Sequence, residues 1–86
     1  LEHVDRPSFF INELRLYIVH LDKYIQSNQH NIDTKKEKYI LRFKTELLSG
    51  IAYYRNLRNV LFDPNSKEYH HFSLQLDEAQ EQIHPL

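Results

Sequence analysis

Thr34-Lys35-Lys36-Glu37-Lys38-Tyr39-Ile40-Leu41-Arg42-Phe43-Lys44-Thr45-Glu46-Leu47-Leu48-Ser49-Gly50-Ile51-Ala52-Tyr53-Tyr54-Arg55-Asn56-Leu57-Arg58-Asn59-Val60-Leu61-Phe62 is the stretch that decides the fold. Ile40, Phe43, Leu47, Ile51, Tyr54, Leu57 and Leu61 recur at steps of three and four, the spacing that puts side chains on one face of an α-helix. Thr34 and Glu37 have the form of a capping box, in which Thr34 accepts from the Glu37 amide while Glu37 reaches back. A helix over 34–62 follows, roughly 42 Å long at 1.5 Å per residue. Gly50 sits near its middle at a cost of ~1 kcal/mol against alanine, so the rod either kinks there or is closely crossed by another helix. The neighbouring Leu47, Leu48 and Ile51 favour a close crossing.

The segments on either side are read in the same way. Upstream, Phe10, Leu14, Tyr17, Leu21 and Tyr24, with Ile18 and Ile25 beside them, predict a helix over about 8–28. Pro7 is suited to its first turn, and either Asp5 or Ser8 can cap it. The polar run 26–31 ends it. Downstream, Asp63-Pro64-Asn65-Ser66 marks a boundary, and Tyr69, Phe72, Leu76, Ala79 and Ile83 predict a third helix over about 66–83, closed by Pro85. Its weak point is Ser73, where the apolar pattern could restart. The expected architecture is all-α: a small three-helix bundle, two long antiparallel helices with the third packed across their seam.

Composition narrows the classes. The 86 residues are enough for one domain, and 41% apolar with 27% charged residues is ordinary globular composition. A single glycine and three prolines exclude collagen-like and many-turned all-β folds, and leave no glycine-rich phosphate loop. No segment approaches the ~20 apolar residues of a membrane helix, so no membrane partner is expected. Without cysteine there is no disulfide and no thiolate chemistry, which leans the expected localisation toward the cytoplasm. The chain lacks methionine even at position 1, so it is expected to be a piece of a longer protein.

The net charge of −1 hides strong segregation. Residues 35–62 carry seven basic groups against Glu37 and Glu46, net +5, whereas residues 63–86 carry Lys67 against five acids, net −4. Lys35, Lys36, Lys38, Arg42, Arg55 and Arg58, interleaved with aromatic residues, are candidate phosphate contacts for a nucleic acid. The alternative is that the basic helix complements the acidic third helix. Its outer face (Lys38, Arg42, Thr45, Ser49, Ala52 and Asn56) holds only two basic residues.

Six histidines include two Glu-x-x-His pairs, Glu68/His71 and Glu81/His84, the spacing found in carboxylate-bridged metal bundles. Both pairs lie in one segment, thirteen residues or ~20 Å apart along a helix, whereas two metals of one site lie ~4 Å apart. Metal binding therefore ranks as a distant alternative, with no metal residues or cofactor assigned. His70 and His71 are expected as a half-exposed pair at the start of the third helix. No serine has a nucleophile-elbow or base-partner pattern, so no catalytic residues, small-molecule substrate or enzyme activity are expected. Phe9 and Phe10 are adjacent and cannot share one core, and the same holds for Tyr53 and Tyr54. One member of each pair must lie at the surface, which makes these four residues the candidate contacts with a protein partner or a second copy.

The order Arg6-Pro7-x-Phe9-Phe10, then Leu14, Leu16 and Tyr17, then Glu46-Leu47, Tyr53-Tyr54-Arg55, Asp63 and Tyr69 resembles the RteC family, regulators from Bacteroides-type conjugative transposons. Asn56-Leu57-Arg58 continues the helix where the family pattern carries a Ser-Gly pair. The resemblance implies a cytoplasmic transcriptional regulator of mobile-element excision and transfer. It also implies DNA contact by helix-turn-helix or winged-helix elements toward the end of the whole protein. The expected function is thus a non-catalytic helical interaction or regulatory domain.

Overall fold

A computed structural model describes the backbone from Arg6 to Leu86 and the side chains from Phe9 onward. Among these residues there are three helices and no strand: α1 (Arg6–Asn28), α2 (Thr34–Leu61) and α3 (Lys67–Ile83). The side-chain pairing gives their directions. Phe10 stacks on Tyr54, His20 on Phe43, and Tyr24 lies against Tyr39, so α1 and α2 run antiparallel. Lys44 reaches the His84 carbonyl, Arg55 reaches Gln80, and Arg58 reaches Ser73, so α3 runs antiparallel to α2. The long dimension of 46 Å is set by α2, and the radius of gyration is 15.1 Å, against the ~12 Å expected of a compact 86-residue chain.

The boundaries follow local chemistry, with one correction. The N-cap of α2 is Asp33, not Thr34: the Asp33 carboxylate accepts from the Lys36 amide at 2.8 Å, and Thr34 is the first helical residue. A charged acceptor one residue upstream reaches the same free amides and leaves the threonine hydroxyl no role in the cap. Ser66 caps α3, accepting from the Tyr69 amide at 3.1 Å. α1 begins two residues before the expected start, so Ser8 lies inside the helix and is not its cap, while Asp5 falls outside the described residues. α3 passes Ser73 unbroken, because that hydroxyl donates to the Tyr69 carbonyl at 2.7 Å in the helical manner of serine.

The core is aliphatic apart from Phe72: Ile11, Leu14, Ile18 and Leu21 from α1, Leu47 and Ile51 from α2, and Phe72, Leu76, Ala79 and Ile83 from α3. On α3 the expected face is the buried one. On α1 the face is rotated. Ile11 and Ile18 lie at its centre instead of Phe10 and Tyr17, and Tyr17 is 51% exposed. β-Branched and leucine side chains fit the narrow interior of three helices, and the wider rings are left along the edge of the seam. Leu61, expected in the α2 stripe, is exposed.

Gly50 also departs from expectation. A Cβ added there would meet nothing within 4 Å, and the residue does not have positive φ. No helix of the domain crosses closely at Gly50, and its backbone conformation does not demand glycine.

The caps and core make distinct predictions for thermal unfolding followed by circular dichroism. Asp33→Ala should destabilise the domain by about 1 kcal/mol, whereas Thr34→Ala should leave it within about 0.5 kcal/mol. Leu76→Ala, at a site with 0% exposure, should cost about 2–5 kcal/mol, a large part of the stability of so small a domain.

Candidate functional site

α3 covers one side of the seam between α1 and α2. The other side is an open groove of about 360 Å³ lined by Phe10, Glu13, Leu14 and Tyr17 from α1 and by Phe43, Glu46, Leu47, Gly50 and Tyr54 from α2. The periodicity of the two helices puts these residues there. Positions 10, 13, 14 and 17 form one strip of α1, and 43, 46, 47, 50 and 54 form the facing strip of α2. Gly50 contributes no side chain, so the wall is lowest where the two strips face each other.

The four candidate partner residues meet at one end of this groove. Ring centroids are 6.1 Å apart for Phe9 and Phe10, 4.6 Å for Phe10 and Tyr54, and 5.3 Å for Tyr54 and Tyr53. The result is a continuous row of rings across both helices. Phe10 and Tyr54 form its half-buried middle, while Phe9 (56% exposed) and Tyr53 (63% exposed) are its outer members. A second aromatic group, His20, Tyr24, Tyr39 and Phe43, continues along the seam past the other end of the groove.

Two carboxylates stand in the groove walls. Glu46 accepts from Arg42 one turn away at 3.3 Å, an exposed pair that contributes under about 1 kcal/mol. Glu13 lies close enough to Tyr54 to act on its phenol. The Tyr54 pKa is raised above its ordinary value, first by burial, then by Tyr53, then by the Glu13 carboxylate. The sequence carries a signal for this arrangement beyond the aromatic pairs: Phe10-x-x-Glu13 and Phe43-x-x-Glu46 each put an acid one turn after a ring, on the same face.

The six candidate phosphate contacts do not share a surface. Arg55 forms an ion pair with Asp77 at 2.7 Å and donates to Gln80 at 2.7 Å. Arg58 donates to Ser73 at 2.9 Å and lies 4.5 Å over the Tyr69 ring, so both arginines are engaged with α3. Lys36 holds the Asn31 carbonyl at the helix start. Lys35, Lys38 and Arg42 lie exposed on a different side of α2. Segregated charge therefore serves helix packing in part, with basic α2 against acidic α3.

The histidine motifs are not brought together. Among the described residues no group of three His, Asp or Glu side chains could hold a metal ion, and no polar or charged side chain is buried. His70 and His71 are both exposed, and the His84 ring lies 3.4 Å from the Gln80 amide. No described helix is long and apolar enough to cross a membrane. Compared with known proteins, the chain matches no family model, no curated protein and no solved structure.

The raised Tyr54 pKa has a measurable sign. Folding favours the neutral phenol, so the associated stability is fully present below about pH 10 and is lost as pH rises through the elevated value. In an alkaline titration followed by tyrosinate absorbance, Tyr54→Phe should remove the most alkaline part of the curve. Glu13→Gln should move that part to lower pH, and a curve unmoved by either change would contradict the placement of these groups.

Proposed function

We propose that this chain is a non-catalytic helical interaction domain that receives a helix of a partner protein in the groove between α1 and α2. The observation that carries this is the row Phe9, Phe10, Tyr54 and Tyr53 leading into an apolar groove that α3 leaves uncovered. Aromatic side chains held by their neighbours lose little rotamer freedom on binding, and aromatic anchors beside a groove are a recurrent means of seating an amphipathic helix. The groove runs from Tyr54 to Phe43 along α2, about 16 Å or three helical turns, which matches anchors at i, i+4, i+7 and i+11.

The resemblance to the RteC family supports a setting in the cytoplasmic control of mobile-element transfer. There the domain would act as a docking module, with DNA contact made elsewhere in the regulator. Of the six candidate phosphate contacts on α2, only Lys35, Lys38 and Arg42 lie exposed and away from α3, and Arg42 is already paired with Glu46, a sparse stripe for phosphate binding.

The test is selection from a displayed library of helical peptides with randomised faces, followed by affinity measurement on the enriched pool. Tyr53→Asp and Phe9→Asp should each weaken binding by about tenfold or more while far-UV circular dichroism stays unchanged, as both side chains are mostly exposed. Failure to enrich any helix, or a pool that binds both variants as well as the parent, would remove the docking function.

A further inference from the structure

We propose that the occupant of the groove is a basic amphipathic helix, one that presents lysine or arginine beside its apolar anchors, and that the missing side chain of Gly50 makes room for it. This inference rests on the docking function above and names the chemistry of the partner. Three observations meet at the same place. The groove walls carry a carboxylate on each side, Glu13 from α1 and Glu46 from α2, so a helix lying between them passes close to both. Phe10, Tyr17, Phe43 and Tyr54 line the groove beside those carboxylates, an apolar surface along which the stem of a lysine or arginine can lie while its charged head reaches Glu13 or Glu46. Gly50 is a mid-helix glycine that neither backbone conformation nor crowding inside the domain requires.

That third observation separates docking from mere surface apolarity. Glycine in a helix interior is unfavourable, and here the domain's own packing gives nothing in return. What the missing side chain does produce is a low point in the groove wall, where the backbone of an incoming helix approaches α2 most closely. A side chain at position 50 would project into the space the occupant needs.

Charge also decides between partners. Groove-on-groove pairing of two copies of this chain would bring Glu13 and Glu46 of one against Glu13 and Glu46 of the other, a like-charge contact that opposes association. Arg42 already neutralises part of the Glu46 charge within its own helix, so the Glu13 wall should contribute more to selecting a basic partner.

The experiment uses a displayed library of amphipathic helices with leucine fixed at i, i+4, i+7 and i+11 and the flanking positions randomised among Lys, Glu, Gln and Ser. The expected result is a pool enriched in lysine over glutamate. Its members should bind about tenfold more tightly than charge-reversed versions at low salt, with the preference shrinking as salt is raised. Glu13→Gln should reduce that preference. Gly50→Ala should raise the melting temperature by about 4–8 °C while weakening the selected peptides. Gly50→Leu should abolish their binding with the fold intact by circular dichroism.

Enriched helices without a charge preference, or with an acidic one, overturn the inference while leaving the docking function in place. So does a Gly50→Leu variant that binds as the parent does. A pool that never enriches removes both. Light scattering of the parent at micromolar concentration supplies the remaining arm: a dimer that Gly50→Leu dissolves would make a second copy the occupant and overturn the basic-helix assignment.

Discussion

Phe72, Leu76, Ala79 and Ile83 lie on one face of α3 and fill one side of the seam between α1 and α2, and the rest of the structure depends on that contact. Two antiparallel helices bury only a narrow strip between them. The third, laid along their junction, closes a core in which Leu21, Leu76 and Ile83 have no exposure to solvent. α2, the longest helix, contributes only Leu47 and Ile51 to the buried set, while the shortest contributes four residues. Position thus outweighs length. All three helices pack against one another, but α3 is buried along a continuous face, whereas α2 places only one edge in the core.

The same contact explains the charge segregation and the open groove. α3 is held along α2 by Arg55 on Asp77 and Gln80, by Arg58 on Ser73 and Tyr69, and by Lys44 on the His84 carbonyl at the carboxyl end of the helix, where a cation is favoured by the helix dipole. A single helix covers one side of a two-helix seam. The opposite side is left to the aromatic side chains, which pair across it without closing it. Aliphatic residues therefore hold the domain together, and the rings divide their area between structure and an accessible face. Phe10 and Tyr54 do both, while Phe9 and Tyr53 face outward.

Gly50 is the point at which folding and the proposed docking pull in opposite directions. A chain of this size buries only about 60–65% of its unfolded surface, so ~1 kcal/mol given up in the middle of its longest helix is a sizeable share of its stability. Local rules broken without structural compensation tend to coincide with functional positions, and here the break falls on the groove wall.

Much of the fold was legible in the sequence. Apolar spacing of three and four, the polar run before residue 34 and the Asp63-Pro64 boundary are local signals, because helix formation and capping involve residues within one or two turns. They placed all three helices to within about two residues. The adjacency of Phe9 with Phe10 and of Tyr53 with Tyr54 likewise required one ring of each pair to face outward, whatever the packing. Tertiary structure decided the rest. It centred α1 on Ile11 and Ile18 instead of Phe10 and Tyr17, assigned Arg55 and Arg58 to α3, and left Gly50 facing open space. Periodicity specifies that a helix has an apolar side, but its rotation about its own axis is set by how three surfaces fit at once. That fit depends on residues far apart in the chain, so no local pattern carries it.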